Sequence, residues 1–284
     1  MTSSSVASAG SSTQTQKRLG VIAGEGKLPS ILARSAREQG YSVVAFALTP
    51  LAEARIQPHC EKVFQIAPGQ LGRNLKLMKG EGVNFIVFVG KVPKMALLRN
   101  LHKFDWEALQ ELSKLNDFSD DSINFLAGDI AEKHGVKVLT QSEFLRELFP
   151  NVGQLAKRQP TAAEYADIQY GMRIAKEVAR LDIGQTVVVR DQMVVAIEAI
   201  EGTDECIKRS VVMTDGQPVV VCKVSKPNQD QRFDIPTVGM NTLKSMLAKK
   251  PGGCLAIEAN ETMCVDLEEM VAFADENGIA IVST

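Results

Sequence analysis

A short stretch of the chain, Ser225 to Gly239 (SKPNQDQRFDIPTVG), concentrates charged side chains between apolar segments. It contains Lys226, Asp230, Arg232 and Asp234 together with two prolines. The stretch is too polar for a core strand and too rich in proline for a helix, which predicts a rigid, extended loop. Carboxylates on such a loop can hold a cation, and basic side chains can neutralise phosphate oxygens.

A second acidic segment, IEAIEGTDE, covers residues 197–205. Glu198 alternates with the apolar residues of a predicted strand, and Glu201 and Asp204 follow at a Gly-Thr turn. An acid buried on such a strand without a partner would be costly. Together with Asp230 and Asp234, these acids can surround a hard cation such as Mg²⁺, which prefers a few carboxylates plus substrate phosphate oxygens. The alternative is a set of solvent-facing acids and loop salt bridges.

Two glycine-containing turns near the amino terminus are candidates for phosphate binding. The first, GEGKLP, places Gly24 and Gly26 between a predicted strand and a predicted helix, where glycines let the backbone approach a phosphate. It departs from the dinucleotide fingerprint, because Pro29 stands in place of a third glycine and the second strand ends without an acid. The second, VGKVPK, places Lys91 and Lys94 after the fourth predicted strand, where open α/β sheets bind ligands. A tight turn and ordinary surface lysines are the alternatives.

Other polar residues have simpler explanations. Asp120 and Asp121, in the segment SDDS, could hold a metal, but a helix N-terminus attracts acids electrostatically, and a cap by Ser119 or Asp120 is the favoured interpretation. The histidines are His59, His102 and His134. They lie in predicted loop or helix-end settings, so a Ser-His-Asp or Cys-His site is not indicated.

Hydrophobic periodicity predicts two α/β halves that would position these residues. Apolar runs RLGVIA, YSVVAFALT, KVFQI, NFIVFVG and GVKVLT alternate with helical patterns over 30–40, 69–82, 101–115 and 120–135, which predicts a Rossmann-like parallel sheet. Beyond it, a helix from Thr161 towards Gly184, a hairpin around Asp191, and further strands and helices predict a second α/β domain with a mixed sheet. The predicted domains are a disordered tail (1–17), the Rossmann-like domain (18–145) and the second domain (155–284).

The composition of the chain bears on whether the protein binds nucleic acid and on the cellular compartment in which it works. The 284 residues include 32 Lys and Arg against 34 Asp and Glu, so the basic excess typical of nucleic-acid binding is absent. Five scattered cysteines without a Cys-x-x-Cys pair predict reduced thiols in a cytoplasmic protein. Neither a secretory signal nor an apolar segment long enough to cross a membrane is expected.

Five segments also resemble a known family across nearly the whole chain. They are LGVIAGEGKLP, VFVGKV, RLDIGQTVVV, AIEAIEGTDE and KPNQDQRFDIPTVG. In this order they are similar to the LpxI-type UDP-2,3-diacylglucosamine pyrophosphatases of lipid A synthesis. The resemblance implies hydrolysis of UDP-2,3-diacylglucosamine to UMP and 2,3-diacylglucosamine 1-phosphate (lipid X), with Mg²⁺ or Mn²⁺ as cofactor. It also implies a cytoplasmic enzyme, peripheral at the inner membrane, whose second domain carries most of the chemistry.

The expected roles of individual residues follow from what pyrophosphate hydrolysis needs. It needs a cation, carboxylates to hold that cation, a group to position water, and basic side chains for the remaining phosphate charge. The expected catalytic residues are Asp234 and Asp230. The expected metal ligands are Asp234, Glu198, Glu201 and Asp204. The expected substrate-binding residues are Gly24, Gly26, Lys91, Lys226, Gln229, Arg232, Thr237 and Thr203, with Lys226 and Arg232 as phosphate clamps.

Two other functions fit an α/β scaffold of this kind. One is an NAD(P)-dependent oxidoreductase built on the amino-terminal sheet. The other is a nucleotide or lipid sensor without turnover. The oligomeric state stays open, with a homodimer as one option.

Overall fold

The computed structural model of the chain describes residues 17–91, 120–227 and 229–284. Lys94, His102, Ser119 and the helix predicted over 101–115 lie outside the described residues, as do the tail and the side chains of Asp120 and Asp121. The chain divides into two compact units. Among the described residues, the first comprises 17–91 and Leu126–Leu139, and Thr140–Thr284 belongs to the second.

The first unit contains a five-stranded parallel sheet in the order β3-β2-β1-β4-β5. Its strands are β1 (Arg18–Ala23), β2 (Ser42–Ala47), β3 (Lys62–Gln65), β4 (Phe85–Val89) and β5 (Lys137–Val138). Its helices are α1 (Leu28–Glu38), α2 (Pro50–Ile56) and α3 (Leu71–Gly80), together with α4 (Asp120–Lys133) from Leu126 onward. Every residue of β2 is buried, as is usual for strands covered on both faces. The predicted Rossmann-like sheet is therefore confirmed.

The second unit is built on a six-stranded mixed sheet in the order β6-β13-β11-β9-β7-β8. Its strands are β6 (Gly153–Gln154), β7 (Thr186–Arg190), β8 (Met193–Ile197), β9 (Val220–Lys223), β11 (Cys254–Ile257) and β13 (Ala280–Ser283). Strands β9, β11 and β13 are parallel, whereas β6, β7 and β8 are each antiparallel to a neighbour. A separate parallel pair joins β10 (Thr237–Val238) to β12 (Met263–Cys264). This confirms the predicted second α/β unit with a mixed sheet.

Helices cover both faces of this sheet. They are α5 (Ala162–Arg180), α6 (Thr203–Met213), α7 (Met240–Ser245) and α8 (Leu267–Asn277). Alternate strand residues point to opposite faces, so Val187 and Val189 join α5 in one buried cluster while Val188 joins α6, α7 and α8 in the other. Gly171 lets α5 approach β9, because a Cβ there would lie 2.5 Å from Cys222 Sγ.

Two helices occupy segments for which the sequence predicted none. In α2, Thr49 accepts a hydrogen bond from the backbone N–H of Ala52 (3.2 Å), and Pro50 stands at the first helical position, so the cap fixes the helix start. Helix α6 begins directly after Gly202, whose φ is 83°, and carries acids in its first turn. Thr203 and Asp204 therefore lie at a helix N-terminus, and Glu198 lies one residue beyond β8 rather than within it. Among the described helices, none is both long and apolar enough to cross a bilayer.

Candidate functional site

The carboxyl ends of the parallel strands of the second unit meet polar segments at one edge of the six-stranded sheet. Lys223 ends β9 and leads into the Ser225–Gly239 loop, and Glu258 follows β11. Because β7 runs antiparallel to β9, Gln185 and Thr186 lie at this same edge. Parallel α/β sheets usually bind ligands at this edge, which makes these residues the candidate site.

Asp234 is held by the carboxamides of two glutamines. Gln229 Nε2 donates to Asp234 Oδ2 at 2.8 Å, and Gln185 Nε2 donates to the same oxygen at 3.4 Å. Gln229 Nε2 also donates to the Asp234 carbonyl (3.1 Å), and the Asp234 N–H donates to the Asp230 carbonyl (3.1 Å). Both hydrogen bonds to the carboxylate end on Oδ2, and within the described residues Oδ1 accepts none. The carboxylate thus has a fixed orientation and one oxygen available for a ligand or water.

The two glutamines also contact each other and the loop backbone. Gln229 Oε1 accepts from Gln185 Nε2 (3.3 Å) and from the Lys226 N–H (3.1 Å). Gln229, predicted to bind substrate, therefore orients Asp234 in this structure. Gln185 was not predicted, because a neutral side chain just before an apolar strand carries no signal in the sequence.

Asp230 and Arg232 form an ion pair within the loop. Arg232 Nη2 donates to Asp230 Oδ2 at 2.8 Å, Nε donates to both carboxylate oxygens at 3.1 Å, and the Arg232 N–H donates to Oδ1 at 3.0 Å. Partial burial works to raise the pKa of Asp230, but the hydrogen bonds and charge of Arg232 outweigh it and hold that pKa below its usual value. The guanidinium also lies over the Phe233 ring, 5.1 Å from its centroid. The Arg232 side chain is therefore held in one orientation, and the Asp230 carboxylate neutralises part of its positive charge.

The start of the loop is fixed by a second ion pair. Glu258 accepts from Lys176 Nζ (2.6 Å) and from the Ser225 N–H (2.9 Å), and Lys176 also donates to the Ser225 carbonyl (3.1 Å). Lys226 Nζ lies 2.7 Å from Asp182 Oδ1, so this predicted phosphate clamp reaches the loop after α5. The Thr237 hydroxyl, predicted to bind substrate, donates its proton to the Ile235 carbonyl at 2.9 Å, within a local turn.

The predicted acidic metal ligands lie in different surroundings. Glu201 Oε1 pairs with Arg209 Nη2 at 2.7 Å, which contributes to a lowered pKa of Glu201. Asp204 lies in the first turn of α6. Glu198 Oε1 accepts from Thr203 Oγ1 (2.8 Å), and Thr203 Oγ1 accepts from Lys223 Nζ (2.7 Å). Within the described ranges, no group of three or more His, Cys, Asp or Glu side chains is arranged to hold a metal. The four carboxylates therefore do not fit a preformed, all-protein metal site.

The glycine turn of the first unit has a tight backbone arrangement of its own. Gly24 donates to the Val89 carbonyl (2.8 Å), and Glu25 and Lys91 exchange backbone hydrogen bonds (2.8 and 2.9 Å). A Cβ at Gly24 would lie 2.6 Å from the Lys91 carbonyl oxygen, so close chain contact explains this glycine without a phosphate. Gly26 has a φ of +109° and nothing within 4 Å of its Cβ position.

The thiols of the second unit are unsuited to nucleophilic catalysis. The five cysteines are free thiols in this structure, and those of the second unit are buried. Cys206, at the start of α6, has a pKa raised to about 11 by burial, so it stays protonated at neutral pH.

Comparison with known proteins places both units in one family. Residues 18–148 match the LpxI N-terminal domain, and residues 151–282 match the LpxI C-terminal domain. The chain belongs to the LpxI family. A relative from Caulobacter vibrioides named UDP-2,3-diacylglucosamine pyrophosphatase LpxI is 29% identical to this LpxI-family chain over 275 residues, covering 93% of the chain and 96% of the relative.

Solved structures share much less with this LpxI-family chain. N5-carboxyaminoimidazole ribonucleotide synthetase from Thermotoga maritima is 17% identical, with a TM-score of 0.24, over 65% of this chain and 42% of that one. The biotin carboxylase domain of the Hydrogenobacter thermophilus 2-oxoglutarate carboxylase is 14% identical, with a TM-score of 0.27, over 70% of this chain and 41% of that one. The chain thus spans less than half the length of these structures, and such scores support no functional inference.

Proposed function

We propose that this protein hydrolyses the pyrophosphate bond of UDP-2,3-diacylglucosamine to give UMP and 2,3-diacylglucosamine 1-phosphate. The observation that carries the proposal is the match to a relative of that name over nearly the full length of both chains. In the reaction, water adds to one phosphorus, the bridging P–O bond breaks, and the other phosphate leaves. The second unit supplies groups suited to this task at one sheet edge.

Asp234 is the proposed centre of the chemistry. Its Oδ2 is held by Gln229 and Gln185, so Oδ1 can orient a water molecule without rotation of the carboxylate. Arg232 and Lys226 lie on the same loop and supply positive charge for the phosphate oxygens. Asp230 holds Arg232 in place through their ion pair.

We also propose a requirement for Mg²⁺ or Mn²⁺. Mg²⁺ usually binds through one or two carboxylates plus substrate phosphates rather than in an all-protein cage. A preformed site is therefore not required, because the cation would arrive with the pyrophosphate and neutralise phosphate oxygens there.

The lipid substrate further leads us to propose action at the cytoplasmic face of the inner membrane, as a peripheral protein. Ile200 is fully exposed, and Leu181 and Ile183 are 59% and 49% exposed. Gly184 packs against the Glu198 carbonyl, so the loops that carry these side chains are neighbours. Exposed apolar side chains beside the candidate site suit acyl chains or a lipid surface.

A turnover assay tests the proposal. The full chain is incubated with UDP-2,3-diacylglucosamine in mixed micelles, and UMP and lipid X are measured with and without EDTA. We expect both products in equal amounts, loss of turnover with EDTA, and recovery when excess Mg²⁺ or Mn²⁺ is added. Absence of both products at every metal concentration would overturn the proposed activity, whereas turnover unaffected by EDTA would overturn only the metal requirement.

A further inference from the structure

A buried lysine at the end of β9 lies next to the candidate site. The Lys223 side chain is only 8% exposed. Its Nζ donates to Thr203 Oγ1 at 2.7 Å and to Thr186 Oγ1 at 3.4 Å, and lies 3.9 Å from Glu198 Oε2. An ammonium group so removed from water is costly unless it is well paired.

The pairing of Lys223 with Glu198 is imperfect. Glu198 Oε1 accepts the Thr203 hydroxyl, but Glu198 Oε2 is buried and has no hydrogen-bond partner within the described residues. A buried ion pair with an unsatisfied oxygen is a poor stabiliser, and neutral side chains of similar volume are often as stable or more so. Stability alone therefore does not account for this network.

The network joins three segments, two of which lead to Asp234. Thr186 begins β7 directly after Gln185, the residue that contacts Asp234. Lys223 on β9 lies opposite Thr186 on β7. The backbone N–H of the next residue, Val224, donates to the Gln185 carbonyl at 3.0 Å. Thr203 brings the start of α6 to the same ammonium group.

We propose that Lys223 is a positioning residue for the hydrolysis, acting through Thr186, Glu198 and Thr203 to fix Gln185 and the loop that carries Asp234. This inference rests on the proposed function. It assigns Glu198 and Thr203 to the support of Asp234, and Lys223, which looks like an ordinary strand residue in the sequence, becomes the centre of that support.

Replacing both Lys223 and Glu198 by neutral side chains distinguishes an effect on the position of Asp234 from an effect on folding. Lys223→Met alone should lower the melting temperature, because Glu198 loses its compensating charge, and should lower kcat at least about tenfold with little change in KM. In Lys223→Met with Glu198→Gln, the melting temperature should return to the wild-type value or above while kcat stays low. Recovery of kcat together with stability in the double variant would overturn the proposal. The double variant decides the matter even where the single one fails to fold.

Hydrogen exchange provides a readout that does not depend on turnover. Peptides covering 182–186 and 225–234 should exchange faster in the double variant than in the wild type, and unchanged exchange would overturn the positioning role. If the wild-type protein does not hydrolyse UDP-2,3-diacylglucosamine, the proposed function fails, and hydrogen exchange alone still tests the positioning.

Arg158→Met is the matched control. It breaks the ion pair between Arg158 and Glu164, beside Gly253 at the amino end of β11 and so at the opposite edge of the sheet. It should lower the melting temperature without changing kcat or exchange in 225–234. A loss of kcat as large as that of Lys223→Met would show that lost stability alone impairs turnover, and would overturn the positioning role.

Discussion

At the scale of single residues, Asp234 differs from the other acid of its loop, Asp230, in the partners of its carboxylate oxygens. Asp230 is occupied by Arg232, whereas Asp234 is held through one oxygen by neutral carboxamides. Asp234→Asn should keep this arrangement, with the amide oxygen facing the two glutamines and the NH₂ group in place of Oδ1. We expect kcat to fall about 100-fold or more, equal to about 2.7 kcal/mol in the barrier, while substrate still binds.

Single-turnover hydrolysis at saturating Mg²⁺ or Mn²⁺ checks this prediction, with folding verified by circular dichroism. Asp230→Asn is the internal control and should be milder, because Asp230 acts on Arg232 rather than on water. Near-wild-type turnover in a folded Asp234→Asn protein would remove Asp234 from the mechanism.

Sequence reasoning could predict those residues of the candidate site that carry charge in an unusual place. Asp230, Arg232 and Asp234 stand out because charges and prolines interrupt an otherwise apolar alternation. Gln185 could not be found in this way, since a single neutral amide at a strand start is unremarkable. Lys223 was hidden because its burial depends on strand order, which a sequence pattern does not contain. Partners across a sheet emerge only from the fold.

At the scale of elements, the turn after β1 depends on two glycines for different reasons. Gly24 lacks room for a Cβ because the Lys91 carbonyl oxygen would be 2.6 Å away, whereas Gly26 adopts a φ of +109° that L residues rarely adopt. Gly24→Ala should therefore separate two backbone segments and lower the free energy of unfolding by about 1–3 kcal/mol. Gly26→Ala should cost about 1–3 kcal/mol through torsional strain without a clash.

Urea unfolding and steady-state kinetics of both variants check this expectation. Because the proposed chemistry lies in the second unit, any kinetic effect should be in KM rather than in kcat. A well-folded variant with unchanged KM and a kcat lower by about a thousandfold would instead move the catalytic centre to the first unit.

Elements were predictable where burial leaves a clear pattern. Strand β1 matches its predicted bounds, and β2 and β4 lie within theirs, because parallel strands covered on both faces appear as continuous apolar runs. Helix α6 was missed because its first turn is polar and the apolar residues Cys206 and Ile207 come only afterwards. The two-residue strands β6, β10 and β12 are too short for periodicity to reveal.

At the scale of the whole molecule, the described residues of the second unit form two hydrophobic clusters from that unit alone. One cluster draws its buried residues from 156–281 and the other from 168–282, on opposite faces of the same sheet. Gln185, Lys223 and Asp234 all belong to this unit as well. The polar network is thus supported by packing within one continuous segment of chain.

A fragment covering 140–284 should therefore fold without the first unit. Its sheet is complete, since β6 through β13 all lie within it, and a unit of this size usually unfolds in one cooperative step. We expect a single urea transition that coincides by circular dichroism and by the fluorescence of Tyr165 and Tyr170, since the one tryptophan of the chain lies outside the fragment. Hydrogen exchange in β9 and β11 should be slow. Lys223→Met with Glu198→Gln in the fragment should speed exchange in 225–234 as in the full chain, because every group of the network is present. A fragment that binds a hydrophobic dye and unfolds without a cooperative transition would show that residues 140–284 need the rest of the chain to fold, and that the ordering of Asp234 cannot be assigned to this segment alone.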